Sequence, residues 1–253
     1  IYGVVSIRGQ QNLPFFTDFT TNSFTLVNGT QTNKWHHGTA TGNTGASLYV
    51  SSNNGTSNTY INNSESTVHA YVDLNIPAGS TFLTLEFDWR CVGENGYDRM
   101  FVYLAPTSFT PVAGSQIATG NGITQVGGQF VLKNNWQQFT DSTVDVSAFA
   151  GSTMRLIFQW RNDFTAGNNP PIAIDNVKVF FPTCIIPGNQ RVTGSTVNSA
   201  TVAWDAPTPA PAMGYEYYLS PTGAPPTPAT VGTPTMNTTA TFTGLALYTS
   251  YKW

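Results

Sequence analysis

Carboxylates stand in this chain at spacings that acid–base or metal chemistry uses. Glu86 and Asp88 lie two apart in "FLTLEFDWRC", Glu94 and Asp98 flank "NGY", and Asp163 and Asp175 bracket "FTAGNNPPIAI". Two carboxyl groups either side of a sugar bond serve glycosidases as acid and as nucleophile or base. Glu86 and Asp88, however, share the polar side of an alternating segment, where acids are solvated or paired with neighbours such as Arg90 or Arg99. No catalytic residue is therefore expected. Asp163 is expected to organise a turn, and Asp175 to hold a metal or accept loop hydrogen bonds.

The histidines offer little more. His36 and His37 are adjacent in "WHHG", so on an extended segment they point to opposite sides, and the only other histidine is His69. Zinc needs three or four convergent ligands, and no close-spaced Cys/His set is present. Neither a Gly-x-Ser-x-Gly elbow nor a phosphate-cradling glycine loop occurs. "WHHG" is read as a polar surface turn beside a structural tryptophan. Aromatic residues make up 13% of the chain, and their rings can stack on the apolar faces of sugars. Trp89, Trp136, Trp160 and Trp204 lie in strand-like segments and are expected in cores. Tyr49, Tyr60, Tyr97 and Trp35 lie nearer loops and are the better candidates for contact with a glycan or another surface, with core or edge packing the leading alternative for each.

The elements that would position these groups are strands. Leu83, Leu85, Phe87, Trp89 and Cys91 alternate with Thr84, Glu86, Asp88 and Arg90, a period of two with one buried face. The same pattern puts Met100, Val102 and Leu104 on one face, and Met154, Leu156, Phe158 and Trp160 on another. Gly, Asn and Pro clusters between them make turns. The expectation is an all-β chain built on a sandwich.

Composition narrows the partners. Only 9% of residues are charged and the net charge is −3, so no basic face meets nucleic acid. No run of roughly 18 apolar residues could form a transmembrane segment. The chain starts at Ile1, and a secretion signal is expected to have been removed or to lie outside it. Cys91 and Cys184 are the two cysteines. A disulfide between them would close a loop of about 93 residues and contribute about 4–5 kcal/mol in the chain-entropy model. Two separate buried thiols are the alternative, which thiol titration of the denatured, unreduced chain distinguishes.

Composition changes near Pro182, dividing the chain into residues 1–182 and 183–253. The prolines between Pro207 and Pro234 suit loops and edge strands. The second segment resembles a fibronectin type III module, with Trp204 on its second strand and "LALYTSYKW" matching the family pattern at Leu245, Thr249 and Tyr251. Leu247 stands where that family prefers proline. The resemblance implies a corner tyrosine at Tyr251 and a module truncated at its C-terminal end.

In order along residues 10–181, "LPFFTDF", "NKWHHGTATG", "ASLYVSSNNG", "LEFDWRCVGENGYDRMFVYLAP", "WQQFTDSTVDVSAFAGSTMRLIFQWRND" and "PPIAIDNVKV" resemble the jelly-roll domains called choice-of-anchor J, relatives of the MAM and cleaved-adhesin families. The resemblance implies a surface protein of the Bacteroidota kind, exported by type IX secretion. It also implies a structural Ca2+ held between Asp18 and Asp175. "DST" at 141–143 is similar to an O-glycosylation motif of such proteins, with Ser142 as acceptor, and intact mass tests it. Asn28, Asn54, Asn62 and Asn237 begin N-glycosylation sequons.

The expected function is that of a non-catalytic secreted or cell-surface adhesin-like protein. It would bind glycans, a surface or neighbouring surface proteins through sandwich loops. The alternatives are an accessory carbohydrate-binding region of a secreted hydrolase and a structural subunit of a surface or secretion assembly.

Overall fold

The computed structural model describes residues 9–181, 187–207, 211, 214–220, 222–227 and 230–253. Cys184 lies outside them, while Cys91 is fully buried. The chain divides into two compact units, residues 1–181 and 182–253.

The first unit contains twelve strands among its described residues. They are β1 Gln11–Asn12, β2 Phe15–Thr17, β3 Thr25–Val27, β4 Lys34–Gly38, β5 Ser47–Ser51 and β6 Ser66–Asn75. There follow β7 Phe82–Cys91, β8 Arg99–Pro106, β9 Thr124–Phe130, β10 Lys133–Asp145, β11 Thr153–Asn162 and β12 Ala173–Phe180. One sheet runs β1-β6-β11-β8-β9, with β3 also on β6. The other runs β10-β7-β12-β5-β4, with β2 also on β12. All pairs are antiparallel except β1 with β6. This is an all-β, jelly-roll type of sandwich.

The alternation read from sequence is what closes it. Leu83, Leu85, Phe87, Trp89 and Cys91 join Met100, Val102, Leu104, Met154, Leu156, Phe158 and Trp160 in one continuous core. Burying each large apolar side chain contributes roughly 1.5–3 kcal/mol. Trp35 belongs to the same core, completely buried, with its Nε1–H donated to the Val68 carbonyl at 3.3 Å. "WHHG" is thus part of strand β4 and not a turn, because an inward Trp35 anchors it in the pleat. Trp136 departs the other way: it is only partly buried, on an edge strand whose register shifts between Lys133 and Gln137.

The outer face of the β6–β11–β8 sheet is covered as well. Tyr71, Ile157, Tyr103 and Ala105 lie under Ile117 and Ile123 from the 107–123 connection. Gln159 accepts the Ile117 N–H at 2.7 Å, Arg155 donates to the Phe109 carbonyl at 2.7 Å, and His69 Nε2 lies 3.1 Å from the Val112 and Ser115 carbonyls. That tied strap covers the outer face of this sheet, while the outer face of the other keeps exposed groups such as Phe16 and Lys178.

The second unit pairs β13 Gly188–Ser195, β14 Ser199–Asp205 and β17 Thr239–Thr243 in one sheet, and β15 Tyr215–Tyr217 with β16 Thr233–Thr235 in another. Trp204 sits in its core with Val202, Ala240 and Phe242. The Tyr251 hydroxyl accepts the Ala246 N–H at 3.0 Å.

Candidate functional site

At one end of the first sandwich, four connections are laced together. The β7–β8 turn closes on itself, Glu94 and Asp98 exchanging backbone hydrogen bonds of 3.0 and 2.9 Å. Gly93, at φ +53°, permits this, since a Cβ there would strike the Asp98 carbonyl. The turn then pairs with the β11–β12 connection through Gly93 and Asn168, at 3.0 and 3.1 Å, and through Val92 N–H to the Pro170 carbonyl at 2.9 Å. Residues ahead of β6 join it: the Tyr60 N–H donates to Asn169 Oδ1 at 2.8 Å, and the Asn62 side chain donates to the Gly167 carbonyl at 3.1 Å. The β9–β10 link is fastened by the Leu132 N–H to the Val92 carbonyl, 3.1 Å.

Beneath these loops sits Asp98, with no exposed surface. Its Oδ2 accepts the Tyr60 hydroxyl at 2.5 Å, and its Oδ1 accepts the Asp163 N–H at 3.1 Å. Burial pushes its carboxyl up to about 6, against the pull of those two bonds and with help from the charges of Asp163 and Glu94. Burial, then the bond to Asp98, also raises the Tyr60 phenol. Glu94, Asp98 and Asp163 each bring an oxygen within 4.8 Å of the others, close enough to share a cation. Glu94 Oε2 is enclosed without a hydrogen-bond partner. Both oxygens of Asp98 are thus occupied beneath the loops.

Above the acids the loops present apolar side chains to solvent. Tyr97 is 51% exposed, Phe164 65%, Leu132 58% and Ile61 43%, one from each of the four connections. Exposed large apolar groups gathered on loops mark interaction surfaces.

The residues singled out from sequence are distributed differently. Asp18 is exposed and accepts the Thr20 N–H at 2.9 Å, which holds its carboxyl below the usual range. Asp175 is fully buried, and burial raises its carboxyl. Its oxygens accept the N–H groups of Asn43, Thr44 and Asn176 at 2.9, 3.1 and 2.8 Å. Asp175 thus accepts loop amide hydrogens, the hydrogen-bonding role expected of it as the alternative to a calcium ion. Asp163 turns its loop by accepting the Thr165 N–H at 2.8 Å. Glu86 pairs with Lys178 at 3.7 Å, and Asp88 accepts the side-chain amides of Asn43 and Asn176; neither carboxylate forms an ion pair with Arg90 or Arg99 among the described residues. Ser142 is exposed where β10 shifts register. Of the four aromatics weighed for ligand contact against core packing, Trp35, Tyr49 and Tyr60 are buried in the core and Tyr97 stands out. Phe164 was not anticipated, nor the joining of Asp163 to Glu94 and Asp98 across 65 residues.

The fold and loop end define an all-β sandwich whose laced loops expose apolar side chains at one end. No protein-family model matches the chain, and no curated protein matches it. Among solved structures, it is similar to the xylan-binding CBM22-1 domain of Paenibacillus barcinonensis Xyn10C, with TM-score 0.41 and 14% identity over 69% of this chain and 97% of that one. It is also similar to TmCBM61 in complex with β-1,4-galactotriose, with TM-score 0.39 and 11% identity over 65% and 91%. A third is the K1 cleaved adhesin domain of Lys-gingipain from Porphyromonas gingivalis W83, with TM-score 0.36 and 14% identity over 67% and 98%. No ligand is transferred from them.

Proposed function

We propose that the first unit is a non-catalytic glycan-recognition module of an extracellular or cell-surface protein, and that it binds through the loop end carrying Tyr97 and Phe164. The carrying observation is the exposure of these two rings on loops that hydrogen bonds hold to a rigid sandwich. Rings offer flat apolar faces to a pyranose at small entropic cost, and loops on a rigid scaffold are where binding residues concentrate. The adhesin-like role and the accessory role in a secreted hydrolase share this site. Affinity electrophoresis of the full chain through xylan, β-1,4-galactan, mixed-linkage β-glucan, polygalacturonate and dextran sulfate tests the reading. At least one polymer is expected to retard it, and Tyr97→Ala with Phe164→Ala to weaken binding at least tenfold with unchanged melting temperature. Retardation by none, or equal retardation of the variant, would refute the reading.

Calcium belongs in this proposal at Glu94, Asp98 and Asp163, where Glu94 Oε2 is enclosed without a partner. Carbonyls and water would complete the six to eight oxygens the ion takes. Excess calcium is expected to raise the melting temperature at neutral pH, since a ligand of the folded state stabilises it by mass action. Glu94→Gln should abolish that rise and Asp175→Asn preserve it; the reverse would return the ion to the Asp18 and Asp175 pair.

A further inference from the structure

Two arginines face each other on the outer side of the β8–β11 pair. Arg99 and Arg161 are directly opposite in the antiparallel register, an arrangement that is destabilising for like charges unless something neutralises it. No ion pair among the described residues does so, although the charge of Asp98 favours the Arg99 cation. The ion pairs there are Arg155 with Asp73, Lys178 with Glu86 and Arg191 with Asp205. Arg161 donates one hydrogen bond, to the neutral Gln116 side chain at 2.8 Å. Arg99 makes none, and its Nε and Nη1 are enclosed without partners, leaving Nη2 as the nitrogen open to solvent. Its guanidinium lies over the Phe101 ring, 5.0 Å from the centroid. The acid nearest in sequence, Asp98, is engaged with Tyr60 and Asp163.

The pair is continuous with the loop end. Arg99 Nη1 lies 3.5 Å from where a Cβ on Gly96 would stand, beside Tyr97, and Arg161 precedes Asp163 and Phe164 by two and three residues. In a chain with only ten Lys and Arg and a net charge of −3, two guanidinium groups side by side without an ion pair form a local exception. Guanidinium groups donate charge-assisted hydrogen bonds to oxyanions, and here the open Nη2 of Arg99 and the facing Arg161 guanidinium would each supply donors. We propose that Arg99 and Arg161 form an oxyanion subsite, taking a carboxylate or sulfate group of an acidic glycan whose neighbouring sugar lies against Tyr97. This rests on the glycan reading of the loop end.

The experiment compares the full chain with Arg99→Gln, Arg161→Gln and the control Arg191→Gln, whose guanidinium is already paired with Asp205. Affinity electrophoresis through polygalacturonate, dextran sulfate and neutral β-1,4-galactan is combined with thermal unfolding of each variant. Retardation by an acidic polymer is expected to exceed that by galactan, to fall with added salt, and to weaken about tenfold in each loop-end variant but not in the control. Polygalacturonate acting alone identifies a carboxylate, and dextran sulfate alone a sulfate. Arg99→Lys, which keeps the charge but loses the planar guanidinium set over the Phe101 ring, should recover only part of the binding. Binding to a polysaccharide that the arginine changes leave intact would overturn the subsite while sparing the glycan reading. Binding to no polymer at all would overturn both.

Discussion

Replacing Gly167 by alanine is expected to destabilise the first unit by roughly 3–4 kcal/mol, while Gly79→Ala costs about 1 kcal/mol. The two glycines have nearly the same backbone, φ +81° and +78°, so the strain of placing a Cβ on a left-handed residue is common to both. They differ in what the Cβ meets. At Gly79 nothing lies within 4 Å, whereas at Gly167 it would land on Asp98 Oδ2 and the Tyr60 hydroxyl, the two atoms of the buried bond. Relief requires that bond to open or the 163–169 loop to lift from the β7–β8 turn, leaving a buried polar group unpaired in either case. Urea unfolding followed by tryptophan fluorescence measures the difference. Equal losses at both positions would mean that the loop end is not closed over Asp98 as described.

Stability should also carry the signature of Asp98 ionisation. Its folded carboxyl is raised to about 6 from an ordinary 3.8, burial being the first cause. Between those values the folded state holds a proton that the unfolded chain has released, so stability falls as pH rises through this window. The contribution is complete below the unfolded value and is lost above about 6, on the order of 3 kcal/mol. Asp98→Asn cannot ionise, so its stability relative to the parent should increase from pH 4 to 7 and then level. A parent that instead gains on Asp98→Asn over that range would show a carboxylate favoured in its charged form. Calcium should flatten the parent's pH dependence, because the ion favours the ionised acids.

Much of this architecture is legible in the sequence because period-two burial is a local property. The alternations from Leu83 to Cys91 and from Met154 to Trp160 name their own inward faces, and the core contains those residues. The site is less legible, since its parts meet through tertiary pairing. Glu94 and Asp98 are visible as neighbours, but Asp163 reaches them only because β8 and β11 are paired so that Arg99 faces Arg161. The same register creates the arginine pair, which no spacing along the chain reveals. Loop proximity was a poor guide to aromatic exposure. Tyr60 lies ahead of a strand yet packs edge-on against Trp160, with ring centroids 5.4 Å apart, because its hydroxyl has a buried partner in Asp98. Tyr97 has no such anchor and remains outside. Asp175 reads as a calcium ligand or an acceptor of loop hydrogen bonds, but its donors at Asn43 and Thr44, 132 and 131 residues away, are not legible in the sequence.

The central claim is that the loop end of the first unit is where a glycan binds. Hydrogen exchange of the full chain, with and without a retarding polysaccharide, tests it most directly because exchange reports which backbone segments a ligand covers or stiffens. Slowed exchange confined to residues 92–98, 129–133 and 163–169 is the predicted result. Protection centred on the 107–123 strap, on the edge strand β10 or on the second unit would contradict it.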